Sequence, residues 1–161
     1  MLIIDKAIND ELQQAYNQAK TSINIIAYSI ARPRKGSSKL FTDTWRALEM
    51  AIKRGVKTRV ILETWNDLNP QASENNKVKI ALEQLGAQVR MSKKGVIMHS
   101  KTWIFDDKKL IIGSHNSTEA GLCRTKNLSI VTCLNDHTEA YRAYFNNEWA
   151  QLEPIPMGAP K

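Results

Sequence analysis

The 161-residue chain has only two cysteines, Cys123 and Cys133, too few for a disulfide scaffold and without the paired spacing of a metal site. A reducing, cytoplasmic setting is therefore expected. No apolar run approaches the roughly 20 residues of a membrane-crossing helix, so no membrane segment is expected. The longest, residues 23–30, is interrupted by polar residues and reads as a buried strand. The opening Met1-Leu2-Ile3-Ile4-Asp5 lacks a basic stretch followed by an apolar core, so no secretory leader is expected. Histidine is scarce: His99, His115 and His137 are the three in the chain. The bulk composition, 42% hydrophobic and 24% charged, excludes wholesale disorder. Lys and Arg number 23 against 16 Asp and Glu, a net +7 that favours a polyanionic partner such as nucleic acid.

Helical spacing recurs at four places. These are Ile4, Ile8, Leu12, Tyr16 and Ala19, with Asp5 available as a cap; Trp45, Leu48 and Ile52 within residues 40–54; Val78, Ala81, Leu82 and Leu85; and Tyr141, Tyr144, Phe145, Trp149 and Leu152. Gly55 and Gly86 close the second and third. Strands are expected over 23–30, 56–63, 88–91, 98–105, 110–114 and 128–134, the middle pair joined as a hairpin by Asp106-Asp107-Lys108-Lys109. Residues 31–39 form a basic loop, and 64–76, polar and containing Pro70, a second loop. Asp136 and Glu139 have capping-box spacing ahead of the last helix. The alternation predicts an α/β fold: a layered α/β/α sandwich with a mixed, mostly parallel β-sheet. One domain is expected over residues 1–153, with an extended, proline-containing tail over 154–161.

One segment carries chemistry. His99 and Lys101 are followed by Asp106, Gly113, Ser114 and Asn116, a pattern H-x-K-x4-D-x6-G-S-x-N. Residues two apart on a strand share a face. A turn centred on Asp107 and Lys108 would set Lys101 across from Ser114 and His99 across from Asn116. An imidazole, an ammonium, a hydroxyl and an amide on one patch suit a phosphodiester, with Lys101 supplying charge and Ser114 and Asn116 supplying donors. By the same parity Asp106 falls on the other face, where fixing the turn or bonding backbone is its expected work. His115 alternates away from Asn116 and reads as a satisfied or exposed histidine. Trp103 shares the His99 face and is a candidate wall of the site or of an interface, while Trp65, in a polar loop, is a candidate for stacking on a base. Arg32, Arg34, Lys35 and Lys39, with Lys93 and Lys94, form a candidate nucleic-acid-binding rim, although charge runs are more often solvated faces.

These residues resemble the phospholipase D superfamily and its HKD motif with a trailing G-S-x-N, in particular its small single-motif bacterial nucleases, over most of residues 5–152. The resemblance implies a two-step, metal-independent phosphodiester transfer without a cofactor, and most naturally a nonspecific endonuclease. One histidine forms a phosphohistidine; a second protonates the leaving oxygen and then activates water. This chain has one H-x-K, so the resemblance implies a homodimer that pairs two copies of His99 across its axis. In those nucleases a carboxylate orients the histidine; here Asn127 stands at or next to that place. Asn127 itself, or a nearby Glu63, Glu119 or Glu148, would then take that role. Two alternatives stay open: a lipid phosphodiesterase of the same superfamily, and a catalytically weakened DNA-binding module.

Overall fold

A computed structural model describes residues 1–64 and 70–152, the side chains of 70–72 excepted. Trp65 and the tail over 154–161 lie outside the described residues. The elements run β1 (Leu2–Ile4), a 3₁₀ turn (Asp5–Ala7), α1 (Ile8–Gln18), β2 (Ser22–Ala27), α2 (Lys39–Lys53), β3 (Lys57–Leu62), α3 (Pro70–Leu85) and β4 (Gln88–Met91). They continue β5 (Lys101–Phe105), β6 (Lys109–Gly113), α4 (Glu119–Cys123), β7 (Leu128–Thr132) and α5 (Asn135–Gln151).

The seven strands form one sheet in the order β1-β7-β6-β5-β2-β3-β4. It is mixed, but not mostly parallel: only β2/β3 and β3/β4 are parallel, and the other four of the six junctions are antiparallel. The crossovers through α2 and α3 make the parallel part, and the tight β5–β6 turn and the return through β7 make the rest.

Strand alternation sorts the apolar residues to two faces. Ile23, Ile25, Val60, Leu62, Trp103, Phe105, Ile111 and Val131 face a core shared with α1, α2, α3 and α4. Ile26, Ile61, Ile104 and Leu110 face the other way, against Tyr141, Phe145 and Leu152 in and just after α5. This second face is only half covered. Ile112 on β6, Leu128 and Ile130 on β7, and Leu2 and Ile4 on β1 are each about half exposed. The pairings Leu2↔Ile130, Ile4↔Leu128 and Ile112↔Ile130 set them in adjacent rows.

Several local expectations are corrected. Strand β2 stops at Ala27, and Ile30 makes only an isolated bridge to Ser117. Helix α3 begins at Pro70, inside the expected 64–76 loop, because proline is tolerated in the first turn, where its missing N–H leaves no helical bond unmade. Strand β5 begins at Lys101, so His99 precedes it. Asp5 caps no helix; it takes a φ of 51° and bonds Lys126 and the Asn127 N–H. The capping-box reading of Asp136 also fails: α5 is preceded by Leu134, without a side-chain cap, and Asp136 lies inside the first turn. Trp103 is fully buried in the helix-covered core rather than walling a site.

The hairpin register differs by one residue from the sequence-based expectation. Phe105 pairs with Lys109 and Thr102 with Ile112, which closes a three-residue turn over Asp106, Asp107 and Lys108. Asp106 and Asp107 take φ of 52° and 55°, the left-handed conformation that tolerates Asp better than bulkier residues. One step beyond the Thr102–Ile112 pair, Lys101 stands opposite Gly113, not Ser114.

Gly113 has no room for a side chain. A Cβ there would lie 2.2 Å from Ser129 Oγ and 2.3 Å from the Leu128 carbonyl oxygen. Replacing Gly113 by Ala is expected to force β6 and β7 apart and cost about 3 kcal/mol, lowering the melting temperature by roughly 10 °C; calorimetry checks this.

His115 is fully buried between these strands. Its Nε2 faces the Asp5 carbonyl oxygen at 2.9 Å, an acceptor only, so Nε2 carries the proton and Nδ1 accepts from Ser129 Oγ at 2.7 Å. Burial holds its pKa below the usual 6.5, against the opposing pull of the Asp5 carbonyl and charge. The unfolded chain therefore binds the extra proton first, and stability falls as pH drops from about 6.5 towards the lowered value. Denaturant titrations between pH 7 and 5 should show that fall, and His115→Gln should flatten it.

Candidate active site

The parallel strands β2, β3 and β4 end at one edge of the sheet, beside the start of β5, the end of β6 and the start of β7. The residues singled out by the H-x-K-x4-D-x6-G-S-x-N pattern leave the sheet there, except Asp106. Two backbone links gather them. Tyr28 N donates to the Ser100 carbonyl at 3.0 Å, tying the end of β2 to the residue between His99 and Lys101. Ser117 N donates to the Ser29 carbonyl at 3.1 Å, drawing the Asn116 turn to the same extension of β2.

Lys101 is 6% exposed. Its Nζ donates to the His99 carbonyl at 2.6 Å and lies 4.8 Å from the centre of the Tyr28 ring. Burial lowers its pKa, and no carboxylate pairs with it among the described residues. His99 is exposed, with its imidazole against Tyr28 edge-on, centroids 4.7 Å apart. Asn116 is half-buried, and its Oδ1 has no hydrogen-bond partner among the described residues. Its backbone is held close to Gly121, where a Cβ would lie 2.3 Å from the Asn116 carbonyl oxygen.

Ser114 is exposed, but its hydroxyl is engaged. It donates to Asn127 Oδ1 at 2.8 Å and accepts from Leu128 N at 3.1 Å. Asn127 is fixed in turn by donating to the Gly121 carbonyl at 3.1 Å and to Thr125 Oγ1. Asn127 thus holds Ser114 and makes no hydrogen bond to His99.

Asp106 sits at the far end of the hairpin. Its carboxylate accepts from the N–H groups of Lys20 (3.0 Å), Thr21 (2.8 Å) and Ser22 (3.0 Å) and from the Thr21 hydroxyl (2.9 Å). Burial raises its pKa, but the bonds from Ser22, Thr21 and Lys20 outweigh this and leave it below the ordinary range. Glu119 is likewise engaged away from His99: it accepts from Ser38 N at 3.0 Å and from Arg124 at 2.7 Å, tying α4 to the basic loop. Glu148 is half-buried on α5, where its charge raises the Tyr144 pKa after burial, the larger cause.

All six rim residues are exposed. Arg34 pairs with Glu74 and Lys39 with Asp43 across one helical turn, while Lys93 donates to Gln151 Oε1 at 3.3 Å. Arg32 and Lys35 form no ion pair among the described residues.

Three residues of this edge have no role in the sequence reading or only a marginal one. Glu63, 2% exposed, accepts from Met98 N and from Ser92 Oγ at 3.1 Å. Asn75, fully buried on α3, donates to the carbonyls of Tyr28 and Glu63, both at 3.0 Å, and accepts from Ile30 N at 3.3 Å. Tyr28 contacts both His99 and Lys101. A polar Asn in a segment read as a loop, and a Tyr read as part of a strand, carry no local signal of such placement. A Glu ending an apolar strand was the one visible clue.

Comparison with known proteins gives the family and the fold. A family model described as "Cardiolipin synthase, PLD-like domain" matches residues 12–149. The bovine (Bos taurus) 5'-3' exonuclease PLD3 is 31% identical over 121 residues, 70% of this chain and 24% of that protein. The human (Homo sapiens) mitochondrial cardiolipin hydrolase is 25% identical over 143 residues, 89% of this chain and 51% of that protein. The chain thus spans about a quarter to a half of these curated relatives. The crystal structure of Nuc, a phospholipase D family member from Salmonella typhimurium, superposes with a TM-score of 0.75 at 22% identity, covering 96% of this chain and 97% of that one. With a family match over most of its length and the same fold, the chain belongs to the phospholipase D superfamily of phosphodiesterases.

Proposed function

We propose that this chain is a metal-independent phosphodiesterase acting on nucleic acid, a nonspecific endonuclease that works as a homodimer. The observation that carries this reading is Lys101: a buried lysine beside His99 with no carboxylate to balance it among the described residues. A buried charge without a counter-charge is costly, and an anionic substrate supplies the missing partner. Asn116, its Oδ1 unpartnered, would add a donor from its amide NH₂ to a non-bridging oxygen. Ser114 would assist through the Asn127 network that fixes it.

In this mechanism an imidazole nitrogen of His99 attacks phosphorus, and the bond to the leaving oxygen breaks as that oxygen takes a proton from His99 of the partner subunit. The partner subunit's His99, now neutral, then removes a proton from water. The resulting hydroxide displaces the first His99 from phosphorus and releases the phosphate product. Lys101 and Asn116 of both subunits balance the charge gathered on phosphorus at each step.

The half-bare sheet face supports a second copy of the chain as the partner. Leu2, Ile4, Ile112, Leu128 and Ile130 form a contiguous apolar surface that reaches the edge from which the site projects. Monomeric proteins rarely leave such a surface in water. The net +7 of each chain, with Arg32, Arg34, Lys35, Lys39, Lys93 and Lys94 exposed, favours nucleic acid over smaller phosphodiesters. A cytoplasmic setting fits Cys123 and Cys133, both free thiols.

Lipid is the second reading, favoured by the cardiolipin-related family match. No helix among the described residues is long and apolar enough to cross a membrane, so a lipid substrate would be met at a surface. A catalytically weakened DNA-binding module is the third, favoured by Asn127 in place of a carboxylate.

Supercoiled plasmid and cardiolipin liposomes, incubated in parallel with excess chelator, separate these readings. The expected result is plasmid nicking by the wild type and a loss of at least about a thousandfold in His99→Ala, typical of removing a covalent nucleophile. His99→Ala should also keep the solution mass of a dimer. Loss of nicking in chelator, or full activity in His99→Ala, would sink the mechanism. Liposome hydrolysis without nicking selects the lipid reading, and DNA binding without either reaction selects the third.

The rim makes a separate expectation. An Arg32→Ala, Lys35→Ala double variant should bind DNA more weakly and lower the slope of log affinity against log salt by about 2 per subunit. An unchanged slope in a fluorescence-anisotropy titration would remove these residues from the binding surface.

A further inference from the structure

Tyr28 follows β2 by one residue and meets the two groups on which the proposed chemistry turns. Its ring lies edge-on to the His99 imidazole, with centroids 4.7 Å apart and planes at 67°. The Lys101 Nζ stands 4.8 Å from the same ring centre. The backbone on both sides is fixed. Tyr28 N donates to the Ser100 carbonyl at 3.0 Å, and the buried Asn75 side chain bridges the carbonyls of Tyr28 and Glu63. The buried Glu63 carboxylate holds Met98 N, the residue just before His99. The chain carrying His99 is thus anchored to the chain carrying Tyr28.

No carboxylate orients His99 among the described residues. Asn127 is committed to Ser114, Glu119 to Ser38 and Arg124, and Glu63 to backbone and Ser92. An aromatic ring does what a carboxylate cannot. Its electron-rich face offsets part of the cost of burying the Lys101 ammonium without neutralising it, so the charge stays available to an anion. Its body also restricts the imidazole, since edge-to-face aromatic contacts have a preferred geometry.

We propose that Tyr28 is the positioning residue of this site, its ring holding the imidazole of His99 and the ammonium of Lys101 in the fixed relation that phosphate binding and attack require. This rests on the phosphodiesterase reading and adds to it the element that replaces the orienting carboxylate.

The test compares wild type, Tyr28→Leu and Tyr28→Phe in two assays: kcat and KM for DNA cleavage, and inorganic phosphate affinity by calorimetry. Tyr28→Leu should lower kcat about a hundredfold, the scale of a misplaced reacting group, with a smaller change in KM. It should weaken phosphate binding about tenfold, the scale of a desolvated cation–π contact. Tyr28→Phe, which keeps the ring, should stay near wild type in both, and all three proteins should melt within a few degrees of one another. If Tyr28→Leu binds phosphate and turns over like the wild type, the inference is overturned and the phosphodiesterase reading stands. If Tyr28→Phe is as damaged as Tyr28→Leu, the hydroxyl rather than the ring is responsible and the inference is again overturned. A wild type that cleaves nothing, yet binds phosphate in a Tyr28-ring-dependent way, refutes the reaction and supports the positioning role. A wild type that binds no phosphate overturns both.

Discussion

Lys101 is 6% exposed, and a cation removed from water must be compensated or it destabilises the fold. The protein compensates it incompletely. The His99 carbonyl takes one hydrogen bond and the Tyr28 ring lies within cation–π distance, but no carboxylate approaches among the described residues. Much of the local architecture serves this arrangement. Glu63 and Asn75 tie the ends of β2 and β3 to the loop before β5, and Gly113 lets β7 close against β6 without a side chain between them. The result is a positive point in a low-dielectric edge, where its attraction for an anion is stronger than at an open surface.

The two faces of the sheet are finished differently. Four helices seal one face into a continuous core, whereas α5 covers only part of the other and leaves the β1, β7 and β6 strip open. Ile3, His115 and Ser129 on the sealed side are buried at the same strands whose opposite side chains meet solvent. This one-sided finish lies next to the edge that carries a single H-x-K segment.

Asn127 shows how one residue type redirects a site. An amide can donate and accept at once, and here it does both, binding Gly121 and Thr125 while receiving the Ser114 hydroxyl. A carboxylate could only accept. The serine is thereby immobilised, and among the described residues the His99 imidazole packs edge-on against Tyr28.

The sequence by itself determined the fold family, the buried strands and most helix positions, because periodicity and motif spacing are local properties. It placed β4 at Gln88–Met91 and α2 within one residue at each end. It could not determine the hairpin register, since Asp106-Asp107-Lys108-Lys109 suits both a two-residue and a three-residue turn; the structure takes the three-residue one, with Asp106 and Asp107 at positive φ. Nor could it show that most strand junctions are antiparallel, or that 70–76 is helical. Only the tertiary structure decided which polar groups meet: Asp106 with the start of β2, Glu119 with Ser38, Asn127 with Ser114, and Tyr28 with both His99 and Lys101. Those partners lie from 13 to 86 residues apart where hydrogen-bonded, and contacts at such separations are set by how the sheet is assembled, not by any local spacing.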